Sequence, residues 1–102
     1  MANYVKVANA SEVSPGEIKL VNAGGKELAL VNLNQNFYAL ENECTHVGAP
    51  LCEGAIEGDE IICPWHGARF NILTGEVTEA PAPENLETYP VRVNNGDIEI
   101  EI

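Results

Sequence analysis

The sequence predicts an all-β fold of antiparallel strands. Its periodic stretches alternate polar and apolar residues with a period of two, as in Glu27 to Leu33 and Ile98 to Ile102. Turn signals rich in glycine and asparagine separate these stretches. The chain has 102 residues, 45% of them hydrophobic, which is enough for one core and leaves no room for a second catalytic domain. We therefore predict a single domain over residues 1–102.

The first part of the chain is predicted to be an antiparallel meander. Gly24-Gly25 suits a tight hairpin because glycine reaches positive φ without a Cβ clash, and Asn34-Gln35-Asn36 marks the next reversal. A short helical turn is expected between Ser11 and Gly16, where Pro15-Gly16 prevents its extension. The predicted strands are Tyr4 to Val7, Glu17 to Val21, Glu27 to Leu33 and Phe37 to Leu40.

The last strands form the hairpin with the strongest sequence signal. Asn95-Gly96 favours a primed turn, whose twist matches that of the strands Val91 to Val93 and Ile98 to Ile102. Between this hairpin and the meander we predict a small inserted subdomain, about residues 42–83. Its predicted strands lie near Ala55-Ile56 and at Glu60 to Ile62, Arg69 to Ile72 and Glu76 to Thr78.

Two short Cys/His pairs mark the inserted subdomain as a metal site. They are Cys44-Thr45-His46 and Cys63-Pro64-Trp65-His66, and they contain both histidines of the chain. Brought together, the two pairs supply two thiolates and two imidazoles, which close a first coordination shell. A zinc finger of the common kind groups two cysteines and then two histidines, whereas each pair here contributes one of each. In a Rieske centre two cysteines hold one iron of a [2Fe-2S] cluster and two histidines hold the other.

The sequences Cys44-Thr45-His46-Val47-Gly48 and Cys63-Pro64-Trp65-His66-Gly67 resemble the two cluster-binding loops of Rieske [2Fe-2S] proteins. The resemblance extends over roughly residues 40 to 102. Within this range the chain is most similar to the small ferredoxins of bacterial ring-hydroxylating dioxygenases. It is also similar to the small subunit of assimilatory nitrite reductase. Further matching positions are Pro50-Leu51, Gly54, Phe70, Thr74-Gly75 and the stretch Pro81 to Pro83. The resemblance implies that this proline stretch covers one side of the cluster; from the residues alone, a stiff linker back to the last hairpin is the alternative.

This resemblance implies a Rieske-type β-sandwich or partial barrel with an inserted cluster-binding subdomain. It implies one [2Fe-2S] cluster, with Cys44 and Cys63 on the inner iron and His46 and His66 on the outer. The implied function is one-electron transfer from an NAD(P)H-dependent flavin reductase to a terminal ring-hydroxylating oxygenase, with no substrate transformed by the chain itself. Two alternatives stay open: a small subunit of a nitrite reductase, and a zinc-stabilised interaction module.

The resemblance also implies a low reduction potential. High-potential Rieske proteins have a serine and a tyrosine hydroxyl after the second loop, where this chain has Ala68 and Phe70. Ala49 and Trp65 stand where those proteins have a disulfide, and we expect Trp65 to pack against the cluster loops. Fewer donors to sulfur and nearby negative charge both disfavour the reduced state. We expect a value toward the lower end of the Rieske range, roughly −150 to +300 mV.

Charge limits the partners. With 5 basic and 16 acidic residues the net charge is −11, which argues against nucleic acid or an anionic membrane surface. Acidic residues on the metal loops either steer the protein to basic faces of redox partners or are ordinary solvated charges. The sequence from Glu41 to Glu60 has no Lys or Arg, and its acidic residues are Glu41, Glu43, Glu53, Glu57, Asp59 and Glu60.

A cytoplasmic location is expected. No apolar run is long enough to span a membrane, and Met1 to Lys6 lacks the layout of a secretion signal. If two of the three cysteines bind metal, Cys52 is left as a single thiol, which fits a reducing compartment. We expect Cys52 to be a small packed residue under the first loop, with no chemistry of its own.

Overall fold

The computed structural model describes residues 3–43, 50–64, 67–79 and 85–102. In this part of the chain eleven strands form three antiparallel sheets, which confirms the predicted all-β fold. The strands are β1 (Tyr4–Asn9), β2 (Ile18–Ala23), β3 (Lys26–Leu33), β4 (Asn36–Glu41), β5 (Ala55–Glu57), β6 (Glu60–Ile62), β7 (Arg69–Asn71), β8 (Val77–Glu79), β9 (Thr88–Tyr89), β10 (Val91–Asn94) and β11 (Asp97–Glu101).

The predicted meander is present in β2, β3 and β4, but β1 belongs to another sheet. Strand order is β2-β3-β4-β9 in one sheet and β1-β11-β10 in a second. β1 pairs with β11, from Tyr4 opposite Glu101 to Asn9 opposite Asp97. The sequence gives no sign of this pairing, because the two strands lie at opposite ends of the chain. The short strand β9 was not predicted either; it adds two residues to the edge of β4.

Three tight turns were predicted correctly and show why their residues are needed. Gly24 and Gly25 have φ of 58° and 83°, and Asn34 and Gln35 have φ of 54° and 71°. Asn95 and Gly96 complete the set with 52° and 84°. Pairs of positive φ are the signature of primed turns, whose twist matches that of the flanking strands.

The predicted helical turn is a 3₁₀ helix over Ala10–Glu12, one residue earlier than expected and shorter. Asn9 caps it: its side chain accepts a hydrogen bond from the Ser11 N–H at 3.0 Å, while the Glu12 carboxylate accepts one from the Asn9 N–H at 2.8 Å. This reciprocal capping box satisfies the donors at the start of a helix. A second 3₁₀ helix, Leu51–Glu53, was not predicted.

Two hydrophobic clusters divide the core. One lies on the β2-β3-β4 and β1-β11-β10 sheets and contains Leu28, Leu30, Ile98 and Ile100. The other joins β3 and β4 to the third sheet, whose strand order is β5-β6-β7-β8. It contains Val31, Leu40, Leu51, Ile61, Cys63, Ala68, Phe70, Ile72 and Leu86. This second cluster, called the loop-side core below, supports the candidate site.

Candidate metal centre

Cys63 lies at the base of the second ligand loop, where strands β6 and β7 end their pairing. The last strand pair is Ile62 opposite Arg69, and the ladder continues as the Cys63 N–H donates to the Ala68 carbonyl at 2.8 Å. The Gly67 N–H then donates to the Cys63 carbonyl at 3.2 Å. Gly67 has φ of 72°, a value that favours glycine. Backbone hydrogen bonds of a hairpin therefore fix the position of Cys63.

The Cys63 side chain is buried, with 2% of its surface exposed, inside the loop-side core. Ala68 and Phe70, its neighbours on the other arm of the hairpin, are fully buried in the same cluster. Neither has a hydroxyl group. The two positions that would supply hydroxyl donors in a high-potential centre are thus apolar and packed here.

The first ligand loop is closed in a different way. Glu43 and Pro50, the residues on either side of residues 44–49, form an isolated antiparallel bridge. Below it the Leu51 N–H donates to the Asn42 carbonyl at 2.7 Å, and the Cys52 N–H donates to the Asn42 side-chain oxygen at 2.9 Å. One buried side chain, Asn42, therefore takes the place that further ladder hydrogen bonds take in the second loop.

The ends of the two loops touch each other. Leu51 is fully buried in the loop-side core that also contains Cys63. Gly54, which follows the second 3₁₀ helix, lies so close to β6 that a Cβ added there would be 2.1 Å from the Ile62 carbonyl oxygen. Its φ is −81°, open to any residue, so the close approach and not the backbone angle requires glycine. The exit of the first loop thus packs directly on the entry of the second.

The residues that follow the predicted proline loop, Asn85 and Leu86, are held by hydrogen bonds to Gly75 and Val77. The Leu86 N–H donates to the Gly75 carbonyl at 2.7 Å, and the Val77 N–H donates to the Asn85 side-chain oxygen at 2.9 Å. A Cβ on Gly75 would be 2.2 Å from the Leu86 carbonyl oxygen. The predicted Thr74-Gly75 turn is therefore present, and it holds the chain that follows Pro81 to Pro83 against β8.

Arg69 balances the acidic residues of the third sheet. It is the only Lys or Arg between Lys26 and Arg92, and its Nη1 atom lies 3.4 Å from Glu57 Oε1 and 3.3 Å from Glu60 Oε1. The Thr78 hydroxyl donates to the other oxygen of Glu60 at 2.5 Å. This hydrogen bond and the guanidinium hold the pKa of Glu60 below its usual value, and hydrogen bonding to Glu57 raises the pKa of Arg69.

Of the four predicted ligands, the structure describes Cys63. Cys44, His46 and His66 lie outside the described residues, as do Ala49, Trp65 and Pro81 to Pro83. Cys52 is a half-buried free thiol, more exposed than the packed residue we expected. Within the described ranges, no three His, Cys, Asp or Glu side chains converge as an alternative metal site would require.

The chemistry at Cys63 fits an iron–sulfur cluster. The thiolate form of cysteine is a soft ligand that iron–sulfur clusters use, and the Cys63 side chain is shielded from water by the apolar side chains of the loop-side core. The adjoining chain, residues 64–66, carries the imidazole of the second pair. The sequence motif and the placement of the hairpin are mutually consistent.

Comparison with known proteins decides between the possible centres. The family model of the Rieske [2Fe-2S] domain matches residues 3–90. The chain belongs to the Rieske [2Fe-2S] domain family. The [2Fe-2S] cluster predicted from the mixed Cys/His pairs is therefore confirmed as the cofactor of this family.

Relatives of similar length narrow the type of Rieske protein. The chain is 37% identical over 99 residues to the ferredoxin component of the naphthalene 1,2-dioxygenase system of Pseudomonas putida, covering 97% of this chain and 95% of the relative. A chain in the solved complex of reduced oxygenase and oxidized ferredoxin in carbazole 1,9a-dioxygenase is 39% identical to the present chain. That match has a TM-score of 0.90 and covers 96% of this chain and 92% of the other. The prediction of a Rieske ferredoxin, an electron-transfer component and not itself a catalyst, is confirmed.

The nitrite reductase alternative is supported by fold alone. The putative NADH-dependent nitrite reductase small subunit of Mycobacterium tuberculosis has a TM-score of 0.91 with this Rieske chain, covering all of this chain and 96% of the other, but only 20% identity.

In the described residues, no helix is long and apolar enough to cross a membrane.

Proposed function

We propose that this Rieske ferredoxin transfers single electrons from an NAD(P)H-dependent flavin reductase to a terminal ring-hydroxylating oxygenase in the cytoplasm. The observation that carries the proposal is the similarity, along almost the whole of both chains, to a ferredoxin solved in complex with its oxygenase. A nitrite reductase subunit is less favoured because the corresponding identity is 20%.

Cys44, His46, Cys63 and His66 are the proposed ligands of the cluster. Their support is the order of residue types in each pair and the position of Cys63 at a rigid hairpin end. When bound, the cluster accepts and releases one electron. The proposed cluster-binding subdomain, about residues 42–83, contains both loop bases and the whole third sheet.

The residues around Cys63 act on the energy of the transferred electron. Ala68 and Phe70 bring apolar surface to the base of the second loop, and neither side chain has a donor for a sulfur atom. A hydrogen bond to sulfur favours the reduced, more negative state, so its absence at these two positions favours a low potential. A low-potential carrier suits a flavin reductase as donor.

The charge distribution supports docking to basic partner surfaces. Glu43 and Glu53 are exposed beside the first loop, and Glu57 and Asp59 are exposed at the β5–β6 turn, the end of that hairpin away from the loops. The basic group of Arg69 is engaged with Glu57 and Glu60. An acidic surface of one sign speeds encounter with a basic face, and salt weakens this effect. We expect reductase and oxygenase to bind transiently and to compete for this acidic surface.

The first test is an electron paramagnetic resonance spectrum of the dithionite-reduced protein, with iron and zinc measured on the same anaerobic sample. A rhombic signal with the low average g value of a nitrogen-ligated [2Fe-2S] pair, together with two irons per chain, is the result expected for a Rieske centre. Stoichiometric zinc without this signal would overturn the proposal and leave the zinc-stabilised interaction module.

The second test is turnover in a reconstituted system. A flavin reductase, this ferredoxin and a ring-hydroxylating oxygenase are combined, and substrate-dependent NADH consumption is measured as salt is raised. Activity that requires the ferredoxin and decreases with salt is expected. Equal activity with and without the ferredoxin would contradict the assigned role, and salt-independent activity would contradict steering by the acidic surface.

A further inference from the structure

Asn42 is one of two buried polar side chains in the described part of the molecule, with 6% of its surface exposed. It lies directly after β4 and two residues before Cys44. Its carbonyl accepts from the Leu51 N–H, its side-chain oxygen accepts from the Cys52 N–H, and its own N–H donates to the Glu27 carbonyl at 3.3 Å. Three contacts thus join the strand before the first ligand loop, the residues after it and β3.

We propose that Asn42 is a positioning residue of the Rieske centre, whose side chain holds the two ends of the first ligand loop together and so keeps the ligands of that loop in register with Cys63. The proposal rests on the assignment of Cys44 and His46 as ligands. It goes beyond that assignment by giving a function to a residue outside the proposed ligand set.

The geometry of the loop base explains why a side chain is needed. In the second loop the chain turns back within a hairpin, and the ladder of β6 and β7 continues up to Cys63 and Ala68. In the first loop, the chain after Pro50 enters a 3₁₀ helix, so strand pairing stops after the single Glu43–Pro50 bridge. The Cys52 N–H at this point finds its acceptor in the Asn42 side chain.

Loss of this acceptor would leave a partly buried N–H without a partner, which is costly even where neighbours relax. The displaced segment would be Leu51 to Gly54. Leu51 belongs to the loop-side core that contains Cys63, and Gly54 abuts the Ile62 carbonyl. A shift at Cys52 is therefore transmitted to both ligand loops and does not stay local.

Asn32 provides a matched control. It is the other buried asparagine, with 3% exposed, and it likewise ties two segments: its Nδ2 donates to the Val13 carbonyl at 2.7 Å and its Oδ1 accepts from the Gln35 N–H at 2.8 Å. These contacts lie at the β3–β4 turn, and none of these three residues belongs to the loop-side core. Asn32→Ala removes both of these side-chain hydrogen bonds of a buried asparagine without touching a ligand loop.

The experiment compares Asn42→Ala with Asn32→Ala in the cluster-loaded protein. The rate of cluster release to an iron chelator is measured at temperatures equally far below each variant's own midpoint of thermal unfolding. Asn42→Ala is expected to release the cluster about tenfold faster than wild type, and Asn32→Ala within about twofold of it. The g values of the reduced protein are expected to change in Asn42→Ala only.

Hydrogen–deuterium exchange supplies a readout that does not depend on electron transfer. Exchange at the Cys52 amide is expected to accelerate in Asn42→Ala and to be restored in Asn42→Asp, which keeps a side-chain oxygen acceptor. If Asn42→Ala does not fold, Asn42→Asp is compared with Asn32→Asp in the same assays. The proposal then requires that the Cys52 amide of Asn42→Asp stays protected from exchange.

Two outcomes would overturn the inference. One is equal release rates and unchanged g values in Asn42→Ala and Asn32→Ala, which would make Asn42 a general stability residue. The other is an unaltered Cys52 exchange rate in Asn42→Ala. Either result with a normal wild-type Rieske signal leaves the proposed function intact, whereas a wild type without iron refutes the proposed function itself.

Discussion

The two ligand loops have bases of opposite construction. The second loop closes a hairpin, so ordinary strand pairing brings Cys63 into the core. The first loop joins a strand to a 3₁₀ helix, and one bridge and one asparagine side chain close it. Backbone pairing tolerates substitution of many side chains, whereas a base that depends on a single side chain does not. The first loop is therefore the more vulnerable half of the site.

Replacing Cys63, the one proposed ligand that the structure describes, is expected to have the largest effect. Cys63→Ser replaces a soft thiolate with a poor iron ligand, so the visible absorbance of the cluster should be lost or radically changed. Cys52→Ser, just after the first loop, is the control, because Cys52 lies outside the proposed ligand set. An unchanged spectrum in Cys63→Ser would remove this residue from the ligands.

Separating the loops is expected to have the next largest effect. In Gly54→Ala the new Cβ meets the Ile62 carbonyl oxygen, and overpacking of this kind costs about 1–3 kcal/mol of unfolding free energy. The cluster should also be lost faster. Gly58→Ala is the control in the same hairpin: φ there is 61° and nothing lies within 4 Å. Its cost is the left-handed backbone alone, about 1–2 kcal/mol, and cluster release should not change.

A hydroxyl group added to the loop-side core below the second loop is expected to have a moderate effect on the reduction potential. Phe70→Tyr adds a donor at the position where the high-potential proteins have one, and a hydrogen bond worth about 1 kcal/mol corresponds to a rise of about 40 mV. The midpoint potential is measured by redox titration, with Phe70→Leu as the control without a donor. A lowered or unchanged potential in Phe70→Tyr would show that the hydroxyl does not reach a sulfur atom.

The smallest expected effect is on the pH dependence of stability, through Glu60 in strand β6 before the second loop. Because the pKa of Glu60 is lowered in the folded state, its contribution to stability is present above its usual value of 4.5 and is lost as pH falls through the lowered value. Thr78→Val removes the hydrogen bond that is the main cause of the lowered pKa of Glu60. The urea midpoint of this variant should lie slightly below that of wild type at pH 7, and the difference should shrink at acid pH. A difference independent of pH would assign the effect to packing.

Local signals explain what the sequence predicts well. Asn95-Gly96 and Gly24-Gly25 specify primed turns through their own φ values, and the alternation of β3 and β11 follows from burial on one face. The family of the metal centre follows from four residues, since mixed Cys/His pairs are rarely found by chance in a chain with two histidines. The ligand assignment itself stays a prediction, because three of its four residues lie outside the described part.

Nonlocal contacts explain the rest. Nothing in Tyr4 to Asn9 specifies β11 as its partner, and β9 has two residues followed by a proline, too few for a period to appear. Asn42 was also missed, because between Glu41 and Glu43 it resembles any solvated polar residue. Its burial depends on the path of the chain after Pro50, which composition does not determine. The requirement for Gly54 has the same origin in a contact eight residues away.

The pairing of β1 with β11 bears on how the protein is made. Each of the β2-β3-β4 and β5-β6-β7-β8 units joins neighbours in sequence and can assemble while the ribosome is still adding residues. β1 pairs with β11 in the described residues, so the β1-β11-β10 sheet is completed only when β11 has emerged. During synthesis β1 is thus made before the scaffold of the iron–sulfur site and is paired only after that scaffold has been produced.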